Sequence, residues 1–301
     1  VSAQRRIVLI AVVGALVISS SAPLVVLSGV APATSALFRC AYAVPPILLL
    51  AWFERRRLGP LPAKIRYFSW AAGVIFALDL LFWHHAIEFV GGGLATVLGN
   101  LQVFLVAFAA WAIFRERPST RLMLATPIVF GGVVLISGLF DAAAYGANPM
   151  LGAVFGMATS VAYAAYLLLM KAGGRHAMLP LAHVTVVATL TVAALSPLFG
   201  GADLTPSWPA HGWLLLLALG PQVLGWALIT WALPRQPAAL TALLLLIQPM
   251  TTVALSALLL GERPSTLQLA GCAVIVLGVL YGSRGRSPAP AQETSEPALS
   301  R

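Results

Sequence analysis

Asp79 is an acidic residue deep inside a long apolar segment. It lies about twelve residues into a helix-length run, which at ~1.5 Å per residue is about 18 Å deep, near the middle of a bilayer. A carboxylate there is costly unless it is paired, protonated or facing a wet cavity. Three roles fit: binding a substrate amine, coupling to protons, or locking helices through an ion pair. Arg39, in the preceding apolar segment, could be the counter-ion, with Glu88 as a second choice for that arginine. Alternatively Arg39 grips a substrate carboxylate in a two-point contact. His84 lies five residues beyond Asp79, on what reads as roughly the same side, and could relay protons. Adjacent His85 points about 100° away, so the two cannot line one cavity equally. His84, like His183 further along, could instead serve as an interfacial hydrogen-bonding group.

Neutral polar groups at membrane depth come next. Asn100, Gln102, Gln222 and Gln248 must find partners in a medium without water. They are either glue between helices or groups that orient a substrate. Trp83, Trp226, Trp231, Tyr163 and Tyr166 are aromatic. Trp52, Trp70, Trp111, Trp208 and Trp213 lie near segment ends and fit interfacial belts. Tyr163 and Trp226 lie deep and are better placed to line an apolar cavity. Pro23, after Ser19, Ser20 and Ser21, and Pro249 each remove a backbone donor, and Gly99 is a flexible point. These three are expected hinges, with static kinks as the simpler alternative. Gly131, Gly132 and Gly138, and Gly271, Gly278 and Gly282, form two small-residue stripes that should pack closely on each other, away from any pore.

The elements that carry these residues are apolar almost throughout. Of 301 residues, 60% are hydrophobic and only 9% charged, against about 25% charged in an average soluble domain. Mean hydropathy is +0.93. Such a chain needs a bilayer as its solvent. The formal net charge of +9 would raise nucleic acid as a partner of a soluble protein. Here the basic residues fall between apolar runs, so topology explains them and no nucleic acid is expected. Cys40 and Cys272 sit inside apolar segments and form neither a disulfide framework nor a metal spacing. Arg5 and Arg6 before an apolar run resemble a signal peptide, but the run to about Val30 is long for one and reads as a retained first span.

Ten segments have the length for a span: 7–29, 33–53, 68–88, 94–114, 121–140, 150–171, 180–199, 211–233, 238–260 and 266–283. The tail 284–301 has no apolar periodicity and is expected to be disordered. Threading ten spans with the N-terminus inside puts sixteen of the eighteen lysines and arginines on the cytoplasmic side, leaving Arg263 outside and Arg39 within a span. Both termini are then cytoplasmic.

The chain also matches itself. Residues 115–120 read R-E-R-P-S-T and 261–266 read G-E-R-P-S-T, a shift of 146 residues. At that shift Gln102 meets Gln248, Leu94 meets Leu240 and Gly132 meets Gly278. The expected organisation is therefore a first five-helix repeat over 1–145 and a second, inverted one over 146–283. Inverted repeats are a mark of secondary transporters.

Two copies of a five-helix unit, each with a Gly/Arg-Glu-Arg-Pro turn and a Gly-rich last helix, resemble the EamA-type drug/metabolite transporter superfamily over about 7–283. Leu37-Phe38-Arg39 is similar to that family's arginine-bearing second helix, and Gln248-Pro249 to its polar-Pro pair. Gln102-Val103 departs from the pattern by lacking proline. The resemblance implies a multi-pass protein of the bacterial inner membrane that moves small molecules by alternating access, with a central cavity between helices. It also favours a structural role for Arg39, since the family carries that arginine across unlike substrates. The many tryptophans look most like exporters of amino acids, aromatic ones included, with a multidrug or other metabolite exporter as the alternative. No G-x-x-x-x-G-K-[ST], H-E-x-x-H or G-x-S-x-G is present, so ATP-driven pumping is excluded and the rival class, a multi-span membrane enzyme, has no evident active site. No cofactor or metal is expected. The expected partners are the bilayer and a small-molecule substrate, probed by a monomer or a homodimer.

Overall fold

The computed structural model describes residues 3–114, 120–136, 140, 141, 143–170, 176–232 and 247–283. The first copy of the E-R-P-S-T motif (apart from Thr120), Leu240, Gly138, Lys171, Arg175, Arg235 and the tail 284–301 lie outside the described residues.

Within them the chain is all helix. α1 (Ala3–Ser19) runs into α2 (Ser21–Ser28), followed by α3 (Pro32–Leu58), α4 (Ala63–Val90), α5 (Gly92–Gly99), α6 (Gln102–Phe114), α7 (Thr120–Ile136), α8 (Pro149–Met170) and α9 (Met178–Leu195). α10 (Trp208–Leu217) continues through a π-helical stretch, Ala218–Gly225, into α11 (Trp226–Ala232), and α12 (Ile247–Leu260) and α13 (Thr266–Ser283) complete the order.

Ten spans do not form. Among the described residues six helical stretches are long and apolar enough to cross a membrane: Arg5–Ser28, Pro32–Leu58, Ala63–Val90, Pro149–Met170, Met178–Phe199 and Trp208–Ala232. Four further apolar helices, Gly92–Val106, Met123–Ile136, Ile247–Leu260 and Thr266–Gly282, are shorter. Over its described residues α12 has 14, or about 21 Å, against the ~30 Å hydrocarbon core. The expected span 94–114 is cut at Asn100 and Leu101, where the helix stops and restarts. The arrangement of ten spans as two sets of five is thereby overturned. The cytoplasmic placement of both termini, which rested on that even count, falls with it.

Large apolar side chains cover the outside, among them Leu9, Leu190 and Leu258, which are exposed. In a bilayer such exposure costs nothing, since lipid tails are as apolar as leucine. Inside, α4 packs on α8 and α9, α3 on α9, and α5 on α12. α7 packs along α13, where the two glycine stripes meet. A Cβ on Gly271 would stand 2.7 Å from the Gly132 carbonyl, and one on Gly132 2.9 Å from the Gly271 carbonyl. Only residues without a side chain allow backbones this close.

The ends of helices are tied by carboxylates. Glu262 accepts the Gly92 N–H at 2.7 Å and the Gly93 N–H at 3.2 Å, satisfying free donors at the start of α5. Burial holds the Glu262 carboxyl above its usual range, opposed by those two N–H groups. Glu54 likewise accepts from Ala177 N and Leu179 N, at 2.9 and 2.8 Å, at the start of α9. The α3–α4 junction carries Arg55, Arg56, Arg57, Lys64 and Arg66, which makes it the arginine-rich end of the bundle. The opposite end carries the turns at 29–31, 91, 145–147 and 261–265.

Candidate functional site

α4 brings Phe76, Asp79, Leu80 and Trp83 to one face at steps of three and four residues. That face borders a cavity of about 70 Å³, also lined by Ile18, Ser19, Ser21, Arg39, Thr96, Gly99, Asn100, Tyr163, Trp226, Gln248 and Thr252. The walls come from α1 to α5, α8, α11 and α12. Seven candidates read from the sequence therefore meet here: Asp79, Arg39, Trp83, Asn100, Tyr163, Trp226 and Gln248. Gly99 joins them as a wall residue.

Two expected residues stand one layer behind. Gln222, fully buried in the π-helical stretch, accepts a hydrogen bond from Arg39 Nε at 2.8 Å. Gln102, also buried, sits beside the Tyr163 hydroxyl. His84 is elsewhere. It borders a different cavity, because five residues turn a helix by about 140° rather than bringing the side chain back to the same face. The expected Asp79–His84 relay is therefore not assembled.

Arg39 and Asp79 face the same cavity without closing on each other. Arg39 is anchored on Gln222 and lies over the Trp83 ring at 5.6 Å from its centroid. Asp79 Oδ1 is buried and has no hydrogen-bond partner among the described residues. The same holds for other polar atoms of the lining: Ser21 Oγ, Asn100 Oδ1, Trp226 Nε1 and Gln248 Nε2. Unpaired buried polar atoms are expensive, and these, both donors and acceptors, belong to residues that line one space. An aromatic wall completes it. The Trp226 ring stands nearly perpendicular to Phe76, Tyr163 and Tyr166, with centroids 6.0, 6.1 and 5.6 Å away.

Breaks in the helices cluster around this cavity. Pro23 has no N–H for the Ser19 carbonyl, four residues back. Ser19 O accepts instead from Thr252 Oγ1 at 3.0 Å, and the helix is interrupted at Ser20. The α5–α6 break follows Gly99, where Asn100 Nδ2 donates to Thr96 O at 2.8 Å and competes with the backbone ladder. Pro221 sits within the π-helical stretch, a geometry often found at functional sites. Pro249 lies in the first turn of α12, and the turn before it lies outside the described residues.

Thr96, Thr252 and Phe76 were not singled out from the sequence, and Ser19 only as part of the serine run before Pro23. Serine, threonine and phenylalanine are ordinary in apolar helices, and nothing in their spacing separates them from packing residues. Glu262 was legible only as part of the repeated E-R-P-S-T motif.

The family model for EamA-like transporters matches the chain twice, over residues 5–138 and 150–283. The chain belongs to the EamA-like transporter family. This EamA-like transporter is 25% identical over 258 residues to the uncharacterized transporter YwfM of Bacillus subtilis (strain 168), covering 83% of each chain. A crystal structure aligns with a TM-score of 0.64 at 17% identity, over 93% of this chain and 98% of its own, a likeness of fold. As a member of this family the chain is a transporter rather than an enzyme, a multi-pass protein of the bacterial inner membrane. Among the described residues, no group of three or more His, Cys, Asp or Glu could hold a metal ion.

Proposed function

We propose that this EamA-like transporter exports amino acids, apolar and aromatic ones foremost, by alternating access across the inner membrane. The observation that carries the reading is the pairing of Asp79 and Arg39 in one aromatic-walled cavity. Asp79 offers an acceptor to an ammonium group. The Arg39 guanidinium has donors beyond the Nε held by Gln222 and suits a carboxylate. Phe76, Trp83, Tyr163 and Trp226 give an apolar side chain its contact surface. A zwitterion with an apolar body answers all three at once.

At about 70 Å³ the cavity is well below the ~300–1,000 Å³ of ligand pockets, so it must widen to admit such a solute. The helix breaks at Ser20 and Asn100, with Pro23, Gly99 and Pro249 near them, are the hinges of that widening. The two family-matched halves, 5–138 and 150–283, both contribute walls and are the bodies that move against each other. The arginine-rich end faces the cytoplasm by the positive-inside rule. The exporter works as a monomer or homodimer.

The test is uptake by liposomes holding the purified protein, across labelled amino acids and a panel of cationic and neutral drugs. Amino-acid uptake that exceeds drug uptake is the expected result. Folded protein that moves drugs alone would transfer the assignment to multidrug export, and no movement of any solute would sink both.

A further inference from the structure

α4 carries chemistry on two levels. Asp79 and Trp83 face the central cavity, whereas His84, Ile87 and Glu88 face a larger one of about 600 Å³ at the arginine-poor end. Asp79 and Glu88 are nine residues apart, about 13 Å along the helix. The larger cavity falls within the ~300–1,000 Å³ range of ligand pockets. Its titratable lining groups are His84, Glu88, Tyr145 and Glu262, with no lysine or arginine in the lining.

The rim is firmly built. Buried Gln268 accepts Tyr145 N–H at 2.7 Å and Ser265 N–H at 3.0 Å, and returns its amide to the Tyr145 carbonyl at 3.1 Å. Glu262 is fixed on the start of α5 by Gly92 and Gly93.

His84 decides what this cavity can bind. Its side chain is 1% exposed. Ser35 Oγ lies 2.6 Å from Nδ1 and donates to the Pro32 carbonyl at 3.0 Å. A hydroxyl has one proton; in the tautomer that leaves it on Pro32 O, the Nδ1–H donates to Ser35. Nε2 then keeps a lone pair, and it has no partner among the described residues. Two carboxylates and an imidazole lone pair are all acceptors. They suit a hydrogen-bond-donating cation and oppose an anion. Among the described residues no group of three or more His, Cys, Asp or Glu could hold a metal ion, and the size of the cavity suits a larger, organic ammonium group.

We propose that this vestibule is a second binding site, specific for the ammonium end of an organic amine, and that it serves as a station between the central cavity and the water outside. The station rests on the reading that the transported solute carries an ammonium group. Unlike the central cavity it has no guanidinium, so it binds amines whether or not they carry a carboxylate.

The test is calorimetric titration of the full-length purified protein with 2-phenylethylamine, which has an ammonium and no carboxylate, and with 3-phenylpropionate, which has the reverse. In an Asp79→Asn background, 2-phenylethylamine should still bind and 3-phenylpropionate should not bind at the vestibule. Adding Glu88→Gln should weaken the amine about tenfold, as loss of a charged hydrogen-bond partner does. His84→Asn, which keeps a donor for Ser35 and deletes Nε2, should weaken it several-fold. Glu88 is exposed, so its substitution leaves the fold intact. If Asp79→Asn does not fold, the same pair of substitutions must remove one of two binding components from the otherwise unaltered chain. Amine binding indifferent to both Glu88→Gln and His84→Asn overturns the station. Glu88-dependent amine binding in a protein that moves no amino acid would keep the station and sink the substrate reading instead.

Discussion

Asp79 and Arg39 illustrate why charged groups in an apolar chain are informative and where that information stops. A charge at membrane depth must be paired, protonated or facing a wet cavity, so the depth of Asp79 narrows its role without choosing among the three. Of the alternatives, the direct Asp79–Arg39 lock is not formed: Gln222 takes the Arg39 Nε and the Asp79 Oδ1 has no partner among the described residues. A polar partner 183 residues away cannot be deduced from one segment. Asp79→Asn should therefore lower amino-acid uptake roughly tenfold or more, the cost of one charged hydrogen bond, and should abolish preference for solutes bearing an ammonium. Liposome uptake with and without a proton gradient separates the roles: a lost gradient dependence marks coupling, and an unchanged rate and pH profile would dismiss Asp79 from both. Gln222→Leu tests the anchor. It leaves a buried guanidinium short of an acceptor and should cost about 1.5–3 kcal/mol of stability, read as a lower melting temperature in detergent. It should also raise the KM for amino acids more than it changes kcat, since Arg39 would lose its orientation.

Helices were legible in proportion to their regularity. The runs that became α3, α4, α8 and α9 read as single long segments and stay continuous, although Pro45 and Pro46 lie inside α3 and Thr185 and Thr189 bond back to the ladder of α9. In the fourth run Gly99 reads as a flexible point, and the helix breaks just after it, where Asn100 Nδ2 bonds to Thr96 O; the role of the asparagine was not legible. The glycine stripes carried a clearer message, because a missing side chain matters only where another backbone is close. Gly271→Ala should destabilise the α7–α13 pair by about 1–3 kcal/mol, the usual cost of overpacking, since its Cβ meets the Gly132 carbonyl at 2.7 Å. Gly131 has nothing within 4 Å of its would-be Cβ, so Gly131→Ala should be neutral or slightly stabilising. Equal effects of the two on thermal melting would show that the stripe is not a packing seam. Pro23→Ala returns an N–H that competes with Thr252 for the Ser19 carbonyl. It should slow transport with little loss of stability, and an unchanged rate would remove the Ser20 break from the list of hinges.

At the scale of the whole molecule, hydropathy found the apolar segments but overcounted the spans, because composition does not report where a helix is interrupted or how far it reaches. The family model falls on the chain twice, over residues 5–138 and 150–283. Two such halves, with a contracted central cavity and a wide vestibule at one end, make a prediction about motion. If they exchange, solute on the cytoplasmic side must change how often the vestibule opens. Cys40 and Cys272 are both buried, at 0% and 8% exposure, so a cysteine introduced at Val26, on the vestibule wall, reports almost alone. Labelling of Val26→Cys by a membrane-impermeant maleimide should be rapid from the outer face and should slow several-fold when a transported amino acid is loaded inside. The same substitution combined with Asp79→Asn should lose that response, because the solute would no longer be held at the centre while the halves move. Labelling that ignores the solute would mean that the vestibule is a fixed surface feature and that the two halves do not exchange around the cavity.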